Sequence, residues 1–120
     1  MKIPGPDHPI VIEPFSGTVS VSVGNVEIAR SGSALALSEA GYPEVYYLPR
    51  NDVAMERFQL SEKLTHCPYK GDAAHFSVDV DGEATDNAAW SYEQPYGAVA
   101  AIGEYLAFYT DRVELTAMPG

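Results

Sequence analysis

From Thr18 to Ser22 the chain alternates polar and apolar residues, with Val19, Val21 and Val23 on one side of an extended backbone. Gly24-Asn25 then supplies two residues tolerant of positive φ, and Val26-Glu27-Ile28 resumes the alternation. The pattern predicts a β-hairpin closed by a two-residue turn. Ser31-Gly32-Ser33 predicts another turn, and Leu35 and Leu37 a third short strand that Ala40-Gly41-Tyr42-Pro43 ends. Val45-Tyr46-Tyr47-Leu48 is a strand-forming run stopped by Pro49. Asn51 or Asp52 can cap a short helix expected to run to about Phe58. Ser61 to Thr65 is polar, and Thr65 to Gly71 reads as a loop bent by Pro68 and Gly71.

Phe76, Val78 and Val80 alternate up to Asp81-Gly82, a second strong hairpin signal, and the chain returns from Glu83 toward Trp90. Ala98 to Ile102 reads as one or two helical turns, Tyr105 to Tyr109 as an aromatic strand, and Thr110-Asp111 as a turn into Val113-Glu114-Leu115. Two hairpins, several other short strands and little helix predict a mainly β fold: one small domain of antiparallel sheets with one or two short helices. Residues 1–16, with Pro4, Pro6, Pro9 and Pro14, show no period and read as an extended arm on the domain or on a partner subunit, so the domain proper is expected over residues 17–120.

Composition narrows the function classes. Seven basic against 17 acidic residues give a net charge of −10, which repels polyphosphate backbones and anionic membranes. Neither a nucleic-acid nor a membrane partner is expected. Cys67 is the single cysteine, so it forms no intrachain disulfide and no Cys-x-x-Cys pair, and a cytoplasmic location fits. The proline-broken N-terminus is unlike a signal peptide, and no apolar run approaches the ~20 residues of a membrane-spanning helix.

The densest chemistry lies in Thr65-His66-Cys67-Pro68-Tyr69-Lys70-Gly71. A thiolate beside Lys or His⁺ is a candidate nucleophile, which makes an enzyme using Cys67 or Lys70 one reading. Against it, a free Cys is usually a small packed hydrophobe, and neighbours on an extended chain point to opposite sides, so His66 is a poor base for Cys67. Lys70-Gly71 can instead contact an anion, although the spaced glycines of a Walker loop are missing. Arg30 and Arg50 follow strand-like runs and are candidate clamps for carboxylate or phosphate. Asp79-x-Asp81 leads into a turn and reads as solvated acids. With His66 and His75 nine positions apart, no His-x-x-x-His and one Cys, no metal site and no cofactor are expected.

Several strings carry a family likeness. Tyr47-Leu48-Pro49-Arg50, Asp52-Val53, Thr65 to Gly71, Asn87-Ala88-Ala89-Trp90-Ser91-Tyr92 with Pro95, and Ala107-Phe108-Tyr109 occur in order. From about Val19 to Thr116 the chain resembles domain of unknown function 427. The resemblance implies a coiled-sheet, mostly β architecture of the Mss4-like kind, and it carries a nucleotidyltransferase-like label. His75 departs from the family pattern, where an aromatic is more usual. Cys pairs of Mss4-like metal proteins are absent. Gly32-Ser33 and Asp79-x-Asp81 lie too far apart to form the two-metal unit of a polymerase-like nucleotidyltransferase.

Three functional readings follow. The first is a module binding a small anionic or polar ligand in an aromatic-lined pocket built from Arg30, Arg50, Cys67, Tyr69, Lys70, Trp90 and Tyr92. The second is a homodimeric structural or interaction domain. The third is the enzyme using Cys67 or Lys70. Trp90, Tyr92, Phe108 and Tyr109 also read as core residues, with Tyr or Trp able to present a polar tip to a cavity.

Overall fold

The computed structural model describes residues 1–120. Ten strands form three antiparallel sheets: Ile10–Pro14 (β1), Gly17–Val23 (β2), Val26–Ser31 (β3), Leu35–Glu39 (β4), Val45–Tyr47 (β5), Phe58–Cys67 (β6), Gly71–Val80 (β7), Glu83–Ser91 (β8), Ala107–Phe108 (β9) and Glu114–Pro119 (β10). The sheet orders are β1-β4-β5, β10-β2-β3 and β6-β7-β8-β9. A single bridge between Leu48 and Leu106 joins the end of β5 to the start of β9, and another joins Ala29 of β3 to Val53. The chain therefore has the mainly β, single-domain fold that the alternation predicts.

Both hairpin signals hold. Val23 pairs with Val26 across Gly24-Asn25, and Val80 with Glu83 across Asp81-Gly82. Asp81 and Gly82 adopt φ of 54° and 84°, the two positive values of a type I′ turn, whose twist matches that of the flanking strands. At the first turn only Gly24 takes a positive φ, 60°.

The four-stranded sheet divides the interior. On one face Phe76, Val78 and Val80 of β7 pack with Val19, Val21 and Ile28 of β2 and β3 in the larger core. On the other, Ala73, Tyr92 and Ala107 meet Leu37, Tyr47, Val99 and Ile102 in a smaller one. Period-two alternation along β7 supplies both cores from a single strand.

Three local expectations change. The short helix expected to Phe58 is two 3₁₀ turns, Arg50–Asp52 and Met55–Arg57, split where buried Val53 bridges Ala29. The polar run Ser61 to Thr65 and the first part of the expected loop, Thr65 to Cys67, belong to the edge strand β6, with a register shift between Leu60 and Leu64. Exposure along most of β6 removes the hydrophobic alternation that marks a strand. The bend itself is real but tighter, since Cys67 pairs with Gly71 across Pro68-Tyr69-Lys70. The proline-rich N-terminal segment lies on the domain, where β1 pairs with β4.

Candidate functional site

Lys70 comes from the β6–β7 turn and is only 7% exposed. Its Nζ donates to Glu39 at the end of β4. His8 Nε2 lies 2.8 Å from the other carboxylate oxygen, and the His8 ring stacks on Tyr69 at 3.9 Å between centroids. Burial alone pushes the Glu39 carboxyl up. Hydrogen bonds from Lys70 and His8 outweigh it and hold the group below its ordinary range. The Lys70 ammonium also lies 6.0 Å from the Tyr92 ring centre. Tyr92 is a core residue, and burial holds its hydroxyl protonated far above the ordinary range. Cys67 is partly buried against the smaller core, while His66 Nδ1 bonds the exposed Asp72 at 2.7 Å.

Arg50 ties three segments together. Its Nε donates to the Glu104 carbonyl at 3.1 Å, and one terminal nitrogen donates to Ser91 Oγ at 3.2 Å and Glu93 Oε2 at 2.9 Å. Arg30 is exposed and makes a forked contact with Glu27, three positions earlier on β3. Both arginines and Lys70 are thus paired with carboxylates. Arg30, Tyr69 and Trp90 line three different surface depressions.

Trp90 belongs to the best-formed of these, an open cleft of about 320 Å³ between the approach to β5 and the β9–β10 connection. Tyr46, Trp90, Phe108 and Tyr109 supply aromatic surface, and Glu44 and Asp111 supply carboxylates. No Lys or Arg is among its lining residues. Trp90 and Tyr109 approach to 4.5 Å between ring centroids at 46°.

The two rings are anchored from behind. Trp90 Nε1 donates to the hydroxyl of fully buried Tyr47 at 3.4 Å. Tyr109 Oη lies 2.8 Å from Nε2 of His75, which has no exposed surface. The other ring nitrogen, Nδ1, is buried without a hydrogen-bond partner. Burial lowers the His75 pKa, so the ring is neutral near pH 7. Anchored rotamers of this kind make a cleft that exists before a ligand arrives.

Of the cleft residues, Trp90 is the one the sequence expectation placed in a ligand pocket; Tyr109 reads there as core, and Tyr46, Glu44 and Asp111 carry no site expectation. Adjacent Tyr46 and Tyr47 were one signal: on a strand they face opposite ways, so one is in the core and the other outside it. Among all side chains, no group of three His, Cys, Asp or Glu gathers in a metal-holding arrangement, and no helix is long and apolar enough to cross a membrane.

Residues 11–118 match the model of a family described as a domain of unknown function (DUF427). No curated protein matches the chain.

Proposed function

Starting from the fact that the chain belongs to the DUF427 family, we propose that it is a binding module for a small polar ligand held in the aromatic cleft. The observation that carries this reading is the pair of rings, Trp90 and Tyr109, each fixed by a hydrogen bond to a buried residue and both lining one cleft. Clefts of this size, mostly apolar with a few polar groups, suit small ligands. An anionic ligand elsewhere would have to displace Glu93 from Arg50, Glu39 from Lys70 or Glu27 from Arg30. The polar form of the ligand reading is therefore the better supported one.

A thermal-shift screen of small amines, alcohols, carboxylates, nucleotides and phosphates, read beside Trp90 emission, tests the proposal. Stabilisation by at least one class, with a saturable change in emission, is expected. No stabilisation by any class overturns it.

A second reading, the homodimer, draws on edge strand β6, where Leu60 and Leu64 are 64% and 73% exposed. Antiparallel pairing of two copies about the midpoint of Glu62-Lys63 would set each glutamate opposite the other copy's lysine. The register shift between Leu60 and Leu64 and the charges on β6 are, however, devices that discourage edge pairing. Light scattering decides: a monomer at high concentration removes this reading.

A further inference from the structure

We propose that the aromatic cleft selects a small organic cation, an ammonium or guanidinium group, over a neutral or anionic ligand of the same shape. The inference rests on the cleft being the binding site and adds the ligand's charge.

Three features favour positive charge. Aromatic ring faces carry the negative end of a quadrupole, and Trp is the strongest of them for a cation. Glu44 and Asp111 are the only ionisable side chains of the lining other than the phenols, and both are acidic. Their carboxylates act on the neighbouring phenols. Burial first, and Glu44 after it, pushes the Tyr46 hydroxyl up, while burial and then Asp111 do the same at Tyr109. Both phenols stay neutral near pH 7 and leave the acids as the local charge. Finally, two donors that an anion could use are already engaged: Trp90 Nε1 faces Tyr47, and the Tyr109 hydroxyl faces His75.

One charge opposes the arrangement. Lys63 Nζ lies 5.9 Å from the Tyr109 ring centre, although Lys63 is not part of the cleft lining. It competes for the Tyr109 ring, so the incoming cation belongs against Trp90, on the side of Glu44. The overall charge of −10 adds a long-range attraction that weakens with salt.

Trp90 is the only tryptophan in the chain, so emission reports on the cleft without labelling. The test titrates the full chain with choline, with its uncharged tert-butyl isostere and with pivalate, each at low and high salt. A short arginine-containing peptide forms a further arm and separates a free cation from a side chain presented by another protein. Choline is expected to change Trp90 emission saturably and to bind roughly 5- to 30-fold tighter than the isostere. It should weaken as salt rises, and pivalate should give no saturable change. The exposed double variant Glu44→Gln/Asp111→Asn should lose most of that preference. Equal affinity for choline and the isostere overturns the charge selection but leaves the cleft as a binding site. No saturable change with any of the probes overturns both.

Discussion

The Tyr109 hydroxyl and His75 Nε2 share a hydrogen bond of 2.8 Å, which ties a wall of the cleft to an imidazole with no exposed surface. Burial holds the His75 pKa below its ordinary 6.5. The unfolded chain therefore takes up a proton at His75 as pH falls below that value, while the folded chain resists it. Stability is fully present above the unfolded value and declines as pH falls toward the folded one. Chemical denaturation should show the wild type losing stability between about pH 7.5 and 5.5, and His75→Phe losing less over the same interval. A variant with the same slope as wild type would assign the pH dependence elsewhere. Tyr109→Phe, which leaves His75 Nε2 without its hydrogen-bond partner, should cost about 1 kcal/mol.

Glu39 joins two other segments, accepting from Lys70 and His8 together. Glu39→Gln leaves a nearly buried ammonium without its counter-charge and should destabilise the fold by roughly 3 kcal/mol, the lower end for breaking a buried pair. Lys70→Met/Glu39→Met, which removes both charges, should cost less than the single Glu39 change. A double variant no better than the single one would show that the pair itself stabilises the fold.

The same carboxylate shapes acid stability. Its folded pKa lies below the ordinary 4.5, so its contribution is fully present above that value and is lost as pH falls through the folded one. Wild type should lose more stability than Glu39→Gln on acidification below about pH 4.5, measured by denaturant midpoint.

Arg50 reaches Ser91, Glu93 and the Glu104 carbonyl with one planar fork. Lysine keeps the charge but cannot span these partners. Arg50→Lys should lower stability by about 1–2 kcal/mol, the cost of losing one or two hydrogen bonds made by a charged group. A Tm unchanged by the substitution would remove Arg50 as a clamp.

Gly17 has φ of 149° and sits opposite Pro119 at the end of β2. A Cβ there would fall within 2.8 Å of the Pro119 Cα and closer still to the Met118 carbonyl oxygen. Gly17→Ala should cost more than about 1 kcal/mol, because both the backbone conformation and the space exclude it. The control Gly32→Ala, where the added carbon meets nothing, should cost much less.

Where residues alternate between a core and a solvated face, the sequence announces the strand. Val19, Val21, Val78 and Val80 did so, and Asp81-Gly82 named its own turn. Strand β6 stayed hidden because an edge strand with neither face well covered has no reason to alternate. The cleft was half legible: Trp90 stood out as a rare residue, but its companions come from β5 and from beyond β9. Only the Leu48–Leu106 bridge and the packing around it bring those segments together. Lys70 and Arg50 looked like free anion contacts because their carboxylate partners, Glu39 and Glu93, lie more than thirty positions away.

Strand β2 lies between β3, its neighbour in sequence, and β10, made almost a whole domain later. During synthesis the β2–β3 hairpin emerges early and waits with one edge open until Glu114–Pro119 leave the ribosome. A nascent chain arrested before Glu114 should still recruit chaperones to that edge, whereas one extended far enough to release Pro119 should shed them. The open edge of β2 is thus covered only when the last strand arrives.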